Sequence, residues 1–216
     1  VAPASADGPG SRFKRTADAP LNSPDGQLRV EQFSKPAGDD VIYQFWTFDR
    51  KQRASRLNPG EGADLAGYAA GFRFSPDSQW LVRMQKLGAG YHTLFLYRRH
   101  GHRFSAATTR PLGDLAWDYF FAQPVSRDMK RDPGDRTSLH HAQAHLLAGL
   151  GDNYAGIGQK WPDSRFLVIS LSFDVQGQET PSAWVEGWRC AYDLKTGKFS
   201  VPPDFAGHNA AAVKLP

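Results

Sequence analysis

Three copies of one turn, spread along the chain, constrain the fold more than any other feature. They are Ser23-Pro24-Asp25-Gly26, Ser75-Pro76-Asp77-Ser78 and Trp161-Pro162-Asp163-Ser164. Proline pre-sets a turn φ, aspartate bonds its own backbone two residues on, and glycine tolerates positive φ. Each copy is followed by an alternating apolar run, a loop and a second aromatic-rich run. A repeated turn-plus-hairpin decides architecture before any single residue does. The fold class expected is mainly β, built from antiparallel repeated hairpin units.

The first unit opens with alternation over 27–33, passes a loop at 34–40, and returns through the β-formers of 41–48, with a short outer strand at 54–57. The second runs from Gly71-Phe72-Arg73-Phe74 through its turn to strands at 80–85 and 93–97 and an outer edge at 104–109. The last has strands at 165–173, 183–193 and 198–201 around a long polar loop, 174–182. Asp25 and Asp77 lie 52 residues apart, Asp77 and Asp163 86. The second gap therefore holds room for a degenerate unit, whose strand would be 115–122 (Leu-Ala-Trp-Asp-Tyr-Phe-Phe-Ala). The domain expected is a single β-rich body over 21–216, with units at about 21–74, 71–112, 113–155 and 156–205, preceded by a flexible tail, 1–20.

One short helix is predicted near 138–150. Leu139, Ala142, Gln143, Leu146 and Leu150 fall on one side at 100° per residue, with Ser138 as N-cap and Gly149 or Gly151 as stop.

The order Phe-x-Phe-Ser-Pro-Asp-x-x-Trp-Leu (72–81), the strand ending Leu-Phe-Leu-Tyr (94–97) and Ala-Tyr-Asp-Leu-Lys-Thr-Gly-Lys (191–198) resemble the WD40-like propeller repeat. That repeat occurs in TolB-type periplasmic proteins and in the propeller domains of prolyl-oligopeptidase relatives. The resemblance implies four-stranded antiparallel blades, in a small or incomplete β-propeller-like arrangement or in a curved sheet that never closes. It fixes no activity. Ser78 and Ser164 replace the glycine of the turn, and Trp161 replaces its serine, so the third copy departs furthest.

Bulk properties narrow the function classes. A chain of 216 residues buries roughly 70% of its unfolded surface without a staple, and the one cysteine, Cys190, cannot form an internal disulfide. Mean hydropathy is −0.52, and no apolar stretch approaches the ~20 residues a membrane helix needs. The net charge of +4 raises nucleic acid as a partner. The basic residues are interleaved with acids, however, and the densest run, Arg98-Arg99-His100-Gly101-His102-Arg103, reads as a solvated turn, with phosphate contact as the sharper reading.

Chemistry is sparse. His140, His141 and His145 are the most tempting cluster, and His141 and His145, four apart on the predicted helix, would share a face at a metal-binding spacing, as in His-Glu-x-x-His. Ala142 stands where the glutamate would be, and no third ligand follows from spacing. The pair are weak candidates, so the expectation is no resident metal, no cofactor and no catalytic set. A Gly-x-Ser-x-Gly elbow and a P-loop are both missing. The six tryptophans read as core, and the loops 127–136 and 174–182 as contact surface. Together with the resemblance, this implies a non-enzymatic binding protein of the bacterial cell envelope, periplasmic or secreted with its signal peptide removed. Its partner would be another envelope protein or a polymer. The rival readings are a hydrolytic enzyme with a His/carboxylate pocket at one end of the sheet, and a fragment of a larger propeller.

Overall fold

The computed structural model describes residues 8–57, 65–88, 90–129, 140–147, 153–154, 159–160, 165–174 and 184–215. The third turn, Trp161–Ser164, and most of the loops 127–136 and 174–182 lie outside these. The protein is mainly β, in antiparallel hairpins. Its contacts divide it into two compact units, residues 1–85 with 96–109 and residues 86–95 with 110–216.

The first unit holds β1 (Lys14–Arg15), β2 (Leu21–Asn22), β3 (Leu28–Ala37), β4 (Asp40–Asp49), β5 (Ala54–Arg56), β6 (Leu65–Ala66) and β7 (Ala70–Phe74). It also holds β8 (Trp80–Gly88) up to Gln85, β9 (Tyr91–His100) from Leu96, and β10 (Arg103–Ala106). β3 and β4 pair along their whole length, from Leu28↔Asp49 to Ala37↔Asp40. The expected loop at 34–40 is thus only a two-residue turn, Gly38-Asp39, because Gly38 adopts φ 63° and lets both strands run through to it. The tail is also shorter than expected. Lys14 and Arg15 pair with Ser34 and Phe33, and Lys35 Nζ lies 4.7 Å over the Phe13 ring.

Alternating residues of β7 and β8 turn Phe72, Phe74 and Leu81 to one buried face, where Phe72 meets Phe45 and Phe74 meets Phe104. Arg83 is fully buried among them, its guanidinium 5.1 Å from the Phe45 ring and 5.9 Å from Tyr97.

In the second unit come α1 (Leu112–Phe121), β11 (His140–Leu146), β12 (Asn153–Tyr154), β13 (Gln159–Lys160), β14 (Phe166–Asp174), β15 (Trp184–Asp193), β16 (Lys198–Ser200), α2 (Ala206–Ala212) and β17 (Val213–Lys214). Two expectations exchange places here. The run at 115–122, rich in β-formers, is helix, and the predicted helix at 138–150 is strand over His140–Leu146. Leu112, Ala116 and Phe120 repeat every four residues, with Trp117 beside them, and this stripe is buried. The Leu/Ala pattern of β11 fits a strand equally well, with Ala142 and Ala144 inward and Gln143 and His145 outward. β11 pairs antiparallel with β14 and parallel with β9 at Gln143↔His92, and that tertiary pairing overrides a marginal helix signal.

The α1 stripe packs on the sheet through rings. Trp117 and Phe173 have centroids 5.0 Å apart, and Phe120 and Trp188 also 5.0 Å. The β14–β15 ladder shifts register between Leu171↔Trp188 and Phe173↔Val185, leaving an extra residue in β15 at Glu186-Gly187, with Gly187 at φ 71°. The bulge flips the side-chain parity. Trp188 is consequently buried while Trp184 is 39% exposed, although their spacing would otherwise put both on one face.

Candidate functional site

The two described turns of the repeat have the same wiring. Ser23 Oγ donates to Asp25 Oδ1 (2.6 Å) and accepts from Leu28 N (3.0 Å), and Asp25 Oδ1 accepts from Gln27 N (3.0 Å). Ser75, Asp77, Trp80 and Gln79 repeat these bonds at 2.5, 2.9 and 3.0 Å. Ser78 takes φ 58° where the first copy has Gly26 at 63°. The serine makes a further contact there: its Oγ accepts from Asp25 N at 3.0 Å and joins one turn to the other.

That junction brings a basic turn to the first unit's surface. Asp25 Oδ2 accepts from Arg99 Nη1 at 2.6 Å, while Arg99 Nε donates to Gly101 O at 2.8 Å. Burial alone would raise the Asp25 carboxyl, but the Ser23 hydroxyl, the Arg99 guanidinium and the Gln27 N–H together hold it at about 2.

Opposite stands the turn between β4 and β5. Asp49 Oδ1 accepts from Lys51 N (2.9 Å) and Arg53 N (2.8 Å), and Oδ2 takes the Arg53 fork, Nε and Nη2 at 2.6 Å each. Four bonds fill a carboxylate's accepting capacity. Against the opposing effect of burial, Arg53 and the Lys51 N–H hold Asp49 below the usual carboxylate range. Gln52 completes the turn at φ 61°. Arg50 folds back to donate from Nε to Gly26 O at 3.0 Å.

Between these turns lies a cleft of about 390 Å³ lined by Gln27, Leu28, Asp49, Arg50, Lys51, Arg53, Arg99, Gly101 and His102. Four of the lining residues are permanent cations and one is a carboxylate. Arg99 and Arg53 are each tied to an aspartate. Arg50 and Lys51 have no ion pair among the described residues. The volume is that of a small-ligand site, and its lining sets two cations without an ion pair among the described residues, Arg50 and Lys51, beside one apolar residue, Leu28. Although His102 shares the cleft with Asp49, all four accepting positions of that aspartate are engaged in its own turn, so it does not serve as the carboxylate partner of a histidine base.

The residues singled out by spacing fall elsewhere. His141 and His145 sit on β11, where four residues separate Cα atoms by ~13 Å, so the helical juxtaposition does not arise. The His141 side chain lies outside the described residues. His145 is exposed, and its Nε2 is 2.8 Å from Gln143 Oε1. The structure instead brings His92 beside it, ring centroids 5.2 Å apart. Among the described residues, no group of three or more His, Cys, Asp or Glu is placed to hold a metal ion. Of the tryptophans, Trp46, Trp117 and Trp188 are buried, and Trp80 is half-buried beneath Arg98. No described helix is long and apolar enough to cross a membrane.

Of the cleft's nine lining residues, only Arg99, Gly101 and His102 belong to the basic run visible in the sequence. The 98–103 run stands out as basic, but Arg50, Lys51 and Arg53 belong to another hairpin, and nothing local says that the two turns converge.

No protein-family model and no curated sequence matches the chain. Among solved structures, TolB from Acinetobacter baumannii is similar over 87% of this chain and 32% of its own, at 15% identity and TM-score 0.35. A structure from a study of two prolyl endopeptidases is similar over 89% of this chain and 35% of its own, at 13% identity and TM-score 0.27. The chain thus spans about a third of the length of each.

Proposed function

We propose that the protein is a non-enzymatic binding module whose partner is an acidic polypeptide segment, received in the cleft between the Asp25, Asp49 and Arg99 turns. The observation that carries this reading is the cleft's charge: of its four cations Arg53 and Arg99 are offset by Asp49 and Asp25, while Arg50 and Lys51 have no ion pair among the described residues. The carboxylates at hand are held ionised inside their turns, so they position cations rather than serve as acids or bases. Leu28 supplies an apolar wall for the stem of a glutamate side chain. A location in the bacterial envelope belongs to the same proposal and rests on the resemblance of the repeat to TolB-type proteins.

Binding of fluorescent Glu-rich, Gln-rich and Lys-rich peptides of equal length tests it. The Glu-rich peptide binds, its affinity falling with salt as surface charges are screened over ~10 Å at 0.1 M. The double variant R50A/K51A weakens it by about tenfold, from two exposed cations at roughly 0.5–1 kcal/mol each. Equal binding of the Gln-rich peptide, or full affinity in the double variant, overturns the reading. Export is tested separately, by fractionating cells that express the natural gene.

A further inference from the structure

We propose that His92 and His145 form a two-imidazole site for a divalent transition-metal ion, of which Cu²⁺ binds best, on the outward face of the second unit where β9 and β11 run side by side. This inference is independent of the cleft, which lies in the first unit.

The placement follows from the strand ladder. His92 is opposite Gln143 in the parallel pair, and His145 lies two residues further along β11. Residues two apart share a face, so His92, Gln143 and His145 project together. The rings sit 5.2 Å apart at 46°. Two imidazoles bound through nitrogen at ~2.0–2.1 Å to one ion have ring centres ~5 Å apart at a tetrahedral angle and ~4.5 Å apart at the ~90° of a tetragonal Cu²⁺ site. The observed separation lies close to that of two imidazoles sharing one ion.

The surroundings suit ligation. Histidines that bind metals commonly donate their other ring N–H to an oxygen acceptor, which fixes the tautomer. Donation from His145 Nε2 to Gln143 Oε1 at 2.8 Å does this, leaving the lone pair on Nδ1. Ligation also requires neutral imidazoles. Desolvation of each ring pushes both below the ordinary histidine value, and His145 and Lys86 add to the effect on His92. Lys86 also opposes an incoming cation, so the affinity falls below that of a three-ligand site. Imidazole nitrogen selects Cu²⁺, Ni²⁺ or Zn²⁺ over Mg²⁺ or Ca²⁺, and Cu²⁺ heads the affinity order. Two protein ligands leave coordination positions for water or for a group on a partner.

Untagged full-length protein titrated with Cu²⁺, followed by calorimetry and by electron paramagnetic resonance, gives the test. The expected result is one tight equivalent whose spectrum shows two coordinated imidazole nitrogens. His92→Asn and His145→Asn each lose affinity about tenfold or more, because the second ligand no longer acts at high effective concentration. His141→Ala and His102→Ala bind as the wild type does. Circular dichroism confirms that each variant is folded, as exposed and half-buried positions allow. Undiminished binding in H92N, a spectrum with one imidazole nitrogen, or loss on His141→Ala instead overturns the proposal. Mg²⁺ binding as tightly as Zn²⁺ would do the same.

Discussion

Replacing Gly113 by alanine sets two opposed effects against each other, and the structure says which prevails. Gly113 is the second residue of α1, pressed against β9 and β11. A Cβ there would lie 2.5 Å from Thr93 Oγ1, 2.9 Å from Ala144 Cβ and 2.9 Å from Leu94 N. Two of the three neighbours cannot yield locally, since one is strand backbone and the other a methyl fixed directly to it. Ordinary contacts are ~3.5–4.0 Å, so the helix itself must lift. Lifting stretches the bonds that Tyr91 Oη (3.0 Å) and Thr93 Oγ1 (3.2 Å) donate to the buried Asp114 carboxylate.

Alanine favours a helix over glycine by about 1 kcal/mol in the interior, and by less in the first turn. Overpacking costs about 1–3 kcal/mol, and a loosened hydrogen bond to a charged group adds about 1 kcal/mol. The expected net result is a destabilisation of about 2 kcal/mol, or a fall in Tm of roughly 4–8 °C for a chain of this length. Urea denaturation followed by far-ultraviolet circular dichroism checks it, with a lower midpoint and an unchanged slope. Gly207 in α2 is the control, because nothing lies within 4 Å of a Cβ built there. Alanine at 207 gains up to about 1 kcal/mol. If G113A matches or exceeds the wild type while G207A gains as stated, the seating of α1 on Thr93 and Ala144 is wrong.

Other perturbations give distinct readouts. Asp25 and Asp193 are both held at about 2, Asp193 first by its hydrogen bond from Arg165, against ~3.9 in an unfolded chain. The stability this contributes is present above pH ~4 and is lost as pH falls towards ~2, so Asp193→Asn lowers Tm at pH 6 and the gap to wild type closes near pH 2. Trp188→Ala, which empties a site against Phe120, costs about 3–5 kcal/mol in urea unfolding. Trp184→Ala, on the exposed side of the bulge, changes stability by within about 0.5 kcal/mol. Burial pushes the Cys190 thiol well above its ordinary value, so native protein is inert to a thiol-directed chromogenic disulfide at pH 8 and reacts once denatured; rapid native reaction refutes that burial.

What the sequence disclosed depends on how local each signal is. The Ser-Pro-Asp turns were legible because their bonds close within five residues, and Asp25 and Asp77 do bond their own backbone as chemistry requires. Strand positions followed from alternation, as at Phe72, Phe74 and Leu81. The helix and the strand at 112–146 were interchanged for a physical reason: aromatics favour strands in isolation, whereas the four-residue repeat of Leu112, Ala116 and Phe120 matters only once a sheet is there to cover it. The parity of Trp184 and Trp188 was misleading because one residue, Gly187, reverses it. A bulge leaves no mark in sequence beyond a glycine.

The cleft is illegible for a further reason, and that reason bears on what it does. Its cations come from separate hairpins, and their availability is set by two aspartates that read as ordinary turn residues. Asp49 engages Arg53 within its own turn. Asp25, which already closes the first repeat's turn, reaches with its other oxygen to Arg99, 74 residues away. Both pairings hold a guanidinium in place and offset its charge. What remains for a partner is Arg50 and Lys51, whose charges no described carboxylate offsets, flanked by two oriented guanidinium groups. The repeat thus acts on recognition indirectly: the motif that makes the turn also decides which positive charges are structural and which face outward.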